Sequence, residues 1–260
     1  MLILFHRLTE AEDIIESALR YVELDQPIYK RLKSNLLGQL GILLVYKKEY
    51  DQAIENVEEA IQLKKHLLGA ENVELGRLYI EKAWVLRRLS KYNESFATLE
   101  ATHNIDNLHF DENHIYFARI LLEQGQTYLD KKSFWEAHEH LMEALQIYDK
   151  QLNKNVKQHA DAAEAQGRSY LETGFLNEAT EMFQKAMEIR TAIYGSLHPE
   201  IAETLYYQAQ ALLKMSESRE NEDSKTKARQ KLEQALNMLG QSSVFNVELV
   251  SKIEHTLAAL

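Results

Sequence analysis

"LLGQLGILLVYKKEYDQAIENVEEAIQL", residues 36–63, decides how this chain folds. Two apolar stripes run through it, Leu37–Gly41–Leu44 and Ala53–Val57–Ala60. Spacings of three, four and seven residues put each stripe on one face of a helix. Gly41, Ala53 and Ala60 are small, and small residues on facing stripes let two helices approach closely. Tyr50, just before the second stripe, fills the corner between them.

The stretch recurs. Ala53 has counterparts at Ala11, Ser95, Ala137 and Ala179; Ala60 at Ala18, Thr102, Ala144 and Ala186; Val57 at Ile15, Leu99, Leu141 and Phe183. Gly41 returns as Ala83, Gly125 and Gly167, and Tyr50 as Tyr92, Phe134 and Leu176. Every step is 42 residues. One helical hairpin cannot cover its own apolar face, so the copies must stack. The spacing predicts a half repeat over 1–32, repeats over 33–74, 75–116, 117–158, 159–200 and 201–245, and a last helix over 246–260. That makes about twelve helices in a single array. After Ala179 the next small residue of this kind, Ala228, comes 49 residues later. The surplus falls in "KMSESRENEDSK", residues 214–225, whose polarity predicts a mobile inserted loop.

Composition agrees with an all-α protein. Only 9 Gly and 2 Pro interrupt 260 residues. A formal charge of −10 argues against a general nucleic-acid binder, which needs a basic surface. The absence of cysteine excludes disulfides, thiol catalysis and Cys-ligated zinc, and is compatible with a reducing compartment. The opening "MLILFHRL" is too short for a signal-peptide core or a membrane span, and no window reaches eighteen apolar residues. A soluble, cytoplasmic chain without membrane insertion is expected.

The repeated columns resemble those of the tetratricopeptide repeat. The usual unit has about 34 residues, and the 42 here resemble the kinesin light chain type. Its linker signature is matched by "YGSLHPEIAETL", residues 194–205, through Gly195, His198, Pro199, Glu200, Ile201 and Ala202; "LLGAENVELGRL", residues 67–78, matches partly. The resemblance implies a right-handed α-solenoid, a superhelix of antiparallel helix pairs, whose first helices line a concave groove. It implies a non-enzymatic scaffold for protein or peptide partners. Neither end has a clear polar-faced cap, which leaves a homodimer through the ends open and is consistent with a piece of a longer protein.

Catalytic patterns are sparse. His138 and His140 in "HEH" stand two apart on a helix, about 200° round, and cannot chelate one metal. There is no HExxH and no Gly-rich phosphate loop. No cofactor, metal or catalytic residue is expected. Asn93-Glu94-Ser95 fits a glycosylation pattern, but Ser95 holds a packing column.

The family's orientation places Asn35, Arg77, Trp84, Arg87, Arg88, Arg119, Gln126 and Arg168 on the groove. Arg77 and Arg119 share one column in adjacent repeats. Arginine suits bidentate carboxylate contact and Trp84 offers an apolar platform, so the expected ligand is an acidic peptide with an aromatic or apolar anchor. This resembles the cargo groove of kinesin light chains. The competing reading is structural: Arg77 with Glu81, Arg119 with Glu123 and Glu164 with Arg168 form four-apart helix pairs, and Trp84 packs between repeats. A carboxylate clamp of the co-chaperone type is excluded. Its five positions fall on Gly38, Ile42, Glu81, Arg119 and Glu123, of which one is basic. The alternative function is a ligand- or peptide-sensing regulatory domain of a larger signalling or transcription-regulating protein.

Overall fold

A computed structural model describes residues 8–22, 27–111, 113–151, 156–219, 222–241 and 247–260. Among the described residues there are twelve helices and no strand. The chain divides into two compact units, Met1–Lys131 and Lys132–Leu260.

The first unit holds α1 (Leu8–Tyr21), α2 (Pro27–Tyr46), α3 (Tyr50–Leu68), α4 (Glu74–Arg88), α5 (Tyr92–Asp106) and α6 (Ile115–Asp130). Consecutive helices pack, α2 on α3 and α4 on α5, and the first helices of successive repeats also touch, α2 with α4 and α4 with α6. Gly41 shows why the period is read so clearly. A Cβ there would lie 2.4 Å from Val57 Cγ2 and 3.1 Å from the Ala53 carbonyl oxygen, so only glycine fits. Ala53, Val57 and Ala60 are fully buried, within a core that runs from Ala11 and Ile15 to Leu75, Leu78 and Val85. Ser95 keeps its column by donating its hydroxyl to the Ala83 carbonyl at 3.0 Å, which satisfies a polar group at a packed position.

The second unit holds α7 (Phe134–Lys150), α8 (Lys157–Thr173), α9 (Leu176–Tyr194), α10 (Pro199–Arg219), α11 (Glu222–Gln241) and α12 (Val247–Ala258). α8 pairs with α9, and α10 packs on both α9 and α11. Gly167 repeats the role of Gly41: a Cβ would come within 2.7 Å of the Phe183 ring. Leu249 and Ile253 of α12 join Leu205, Leu232 and Leu239 in one core. The expected loop over 214–225 is corrected. α10 continues to Arg219 and α11 starts at Glu222, so the surplus residues lengthen two helices, while 220 and 221 lie outside the described residues. Polarity alone misled here. Lys, Glu, Ser and Arg are compatible with a solvated helix, and neither Gly nor Pro breaks the segment.

Two further features repeat at 42 residues. Lys48, Ser90, Lys132 and Gly174 all have φ between 59° and 85°, two residues before a second helix. Linker residues cap first helices: Asn72 Oδ1 accepts from the Glu74 amide at 2.9 Å, His114 Nδ1 from Tyr116 at 3.4 Å and His198 Nδ1 from Glu200 at 3.3 Å. The His-Pro of the linker is therefore a side-chain cap followed by proline at the first helical position.

Candidate functional site

Arg77 of α4 and Arg119 of α6 reach the same cleft in the first unit. It encloses about 410 Å³ and is lined further by Asn35, Gln39, Lys64, Val73, Glu74, Gly76, Ile80, Asp106 and Tyr116. Three of the eight expected residues, Asn35, Arg77 and Arg119, thus meet in one place. Asn35 accepts a hydrogen bond from Lys64 Nζ at 2.8 Å, and Arg77 lies 3.1 Å from Glu81 Oε1. Arg119 has no ion pair within 4.0 Å among the described residues.

The charges of the cleft are uneven. Burial raises the pKa of Glu81, against Arg77, Arg119 and Lys64. Burial likewise raises that of Asp106, against His114 and Arg119. Burial lowers that of Lys64, against Glu74. Burial thus opposes the charges of the two acids and of Lys64, while the nearby arginines partly restore those of the acids. An anionic group entering there meets two positive forks, with Val73, Ile80 and Tyr116 as apolar wall.

The remaining residues lie elsewhere. Arg87 is 8% exposed; its Nε donates to Glu123 at 2.6 Å, Nη1 to Asp130 at 2.7 Å and Nη2 to the Gln126 side-chain oxygen at 3.0 Å. Burial works against its charge, but Glu123 and Asp130 outweigh that and raise its pKa. Arg87 and Gln126 are therefore internal ties between α4 and α6. Trp84 packs its ring 5.5 Å from that of Tyr46 and against the first unit's core, so the structural reading of this residue fits better than the platform. Arg88 is exposed on the last turn of α4. Arg168 belongs to the second unit, where it lies over the Tyr207 ring at 5.2 Å.

Position in the repeat placed Arg87 on the groove; its partners remove it. The missed signal is a register. Arg31 with Glu74, Arg87 with Asp130 and Lys157 with Glu200 each join residues 43 apart, one repeat plus one residue. A second missed signal is a column near the ends of the second helices. Val22, Lys64, Asp106, Tyr148 and Arg190 stand 42 apart and are all buried, although three are acidic or basic. Arg190 donates to Asp161 at 2.9 Å and also to Glu164 and Thr204.

The histidines do not cluster. His138 accepts from Gln166 Nε2 at 2.6 Å, and His140 donates to the Glu136 carbonyl at 2.9 Å. No group of three metal-ligating side chains is present among the described residues, and no described helix is long and apolar enough to cross a membrane.

Stacked pairs of helices with a small-residue seam, repeated through both units, define an α-helical repeat protein. The tetratricopeptide repeat profile matches residues 32–107 and 158–241, more than half of the chain, and the protein belongs to the tetratricopeptide repeat family, in its kinesin light chain type. Among solved structures it is similar to BtubC (BKLC) from P. vanneervenii, with a TM-score of 0.66, 18% identity and 91% of each chain covered. It is also similar to a Podosopora anserina putative kinesin light chain with nearly identical repeats, with a TM-score of 0.61, 19% identity and coverage of 84% of this chain and 98% of that one. Pseudomonas aeruginosa pilF follows with a TM-score of 0.54, 17% identity and coverage of 88% and 89%. These likenesses establish the fold. No curated protein sequence matches the chain. The family's fold supports a protein–protein interaction scaffold.

Proposed function

We propose that the protein is a non-enzymatic scaffold that holds an acidic peptide segment, anchored by an apolar or aromatic side chain, in the cleft between α2, α4 and α6. The observation that carries this is the convergence of Arg77 and Arg119, one column in two successive repeats, on a cleft of about 410 Å³. Two adjacent guanidiniums suit carboxylates a few residues apart on an extended chain. Val73, Ile80 and Tyr116 take over the anchor role first expected of Trp84. Asn35 supplies a carboxamide at the cleft edge.

The test is fluorescence anisotropy with a labelled nonapeptide holding Trp among Asp and Glu. The double substitution Arg77→Glu with Arg119→Glu is expected to abolish capture, and circular dichroism checks that the variant stays folded, since Arg77 also faces buried Glu81. Unchanged capture by that variant would sink the assignment.

A further inference from the structure

The cleft is not uniformly positive at its inner end. Asp106 closes α5 and is 1% exposed, yet its Oδ1 has no hydrogen-bond partner among the described residues. A buried carboxylate oxygen left without a donor is uncommon and destabilising. Gly76 makes room for it: a Cβ at that position would sit 3.0 Å from Asp106 Oδ1. Both residues line the cleft. The sites related to Asp106 by the 42-residue period show what is unusual. Lys64 donates to Asn35 at 2.8 Å, and Arg190 donates to Asp161 at 2.9 Å. In each case the buried residue of the second helix meets the corresponding residue of its own first helix. In the repeat of Asp106, residues 75–116, that residue is Arg77, opposite in charge to Asp106. Arg77 pairs with Glu81 instead, and Arg119 also stops short of an ion pair with Asp106. A donor site and an acceptor site therefore stand in one cleft without closing on each other.

Resting on the peptide reading above, we propose that the occupant is a mixed-charge segment: its acidic side chains meet Arg77 and Arg119, and one lysine or arginine side chain reaches Asp106. The basic side chain supplies the donor that Asp106 Oδ1 lacks. An ammonium or guanidinium on a long apolar stem can cross the Val73 and Ile80 wall while its head meets the carboxylate. A purely acidic peptide would leave that carboxylate unpaired beside added negative charge.

The experiment uses the full chain and acetylated, amidated nonapeptides holding Trp among Asp and Glu. A single Lys is moved through the remaining positions, and each peptide is compared with its norleucine counterpart by fluorescence anisotropy. At least one lysine position is expected to tighten binding about tenfold over norleucine. Asp106→Asn is expected to erase that gain and leave the norleucine peptides within about twofold. Norleucine peptides that bind as well as lysine peptides at every position overturn the inference while leaving the acidic-peptide reading standing. Lysine preference that survives Asp106→Asn also overturns it. The first comparison needs no variant, so a failure of Asp106→Asn to fold leaves the test intact. Absence of binding by every acidic peptide overturns both readings.

Discussion

The same two positions of the repeat hold opposite charges in the two units and behave differently. In the second unit Asp161 and Arg190 meet at 2.9 Å, Glu164 and Thr204 accept from the same guanidinium, and Glu200 Oε2 stands 3.6 Å from its Nε. Burial opposes the charge of Arg190, but Glu164, Asp161 and Glu200 outweigh it and raise its pKa. In the first unit's repeat over 75–116 the counterparts are Arg77 and Asp106, exchanged in sign and not paired with each other. One arrangement uses its charges to tie helices together, and the other leaves them facing a cleft. The lesson is that a column assigns a side chain to a face of the fold, while its partners decide whether it is structural or available.

The largest expected effect breaks the network around Arg190. Arg190→Ala leaves Glu164 without its cation and Asp161 and Glu200 with Lys157 alone, and removing one partner of a buried ion pair costs about 3–5 kcal/mol. Asp106→Ala, in the same column, removes a group already lacking a donor and should cost about 1 kcal/mol or less. Urea denaturation measures both. Equal losses would erase the distinction between the two units.

That distinction also marks how far the sequence could be read. The helices, their period and their packing seam were legible because each copy obeys one steric rule: Gly41, Ala83 and Gly167 cannot hold a larger side chain where helices touch. The convergence of Arg77 and Arg119 followed from the same register. Arg87 did not, because its burial depends on Glu123 and Asp130 in the next repeat, and position within a single repeat carries no information about partners 36 and 43 residues away. Nor did Asp106. Its place in a buried column emerges only when Lys64 and Arg190 are seen to be buried too.

Glu203 sharpens the comparison through pH. It takes the position in its repeat that Arg77 takes in the first unit. Burial, reinforced by Glu164 and opposed by Arg190 and Arg168, pushes its pKa up to about 7. The folded state therefore holds a proton that the unfolded chain has released between about pH 4.5 and 7, and stability from this group falls as pH rises through that window. Below it the group makes no difference. Glu203→Gln should thus leave stability unchanged near pH 4 and raise it by about 1–3 kcal/mol at pH 8. Thermal melts at the two pH values check the sign, and a gain at pH 4 alone would contradict it.

Smaller effects are expected at the linkers. Asn72 and His114 cap the first helices of the first unit, and His198 caps α10, whereas α8 begins after Val156, which has no side-chain acceptor. Asn72→Ala and His114→Ala should each cost about 1 kcal/mol, and Val156→Ser should gain about 0.5–1 kcal/mol, since φ −116° and ψ 147° already suit a capping residue. Chemical denaturation of the three variants tests whether the linker signature is a cap or only a family mark. A Val156→Ser variant no more stable than the parent would favour the second.

The smallest effect lies at the hairpin corners. Four residues 42 apart adopt the left-handed conformation, and only Gly174 is glycine; Ser90 has φ 59° and Lys132 φ 63°. A side chain there strains the folded backbone by about 1–2 kcal/mol, while glycine loses more entropy on folding. The second effect offsets part of the first, which explains why the period tolerates Lys and Ser at this corner. Gly174→Ala should cost about 1 kcal/mol, and Ser90→Gly should gain no more than about 0.5 kcal/mol. The ordering matters more than the sizes. A loss on Ser90→Gly would mean that the serine's own contacts hold this corner, and that the two units differ in their hairpins as well as in their charges.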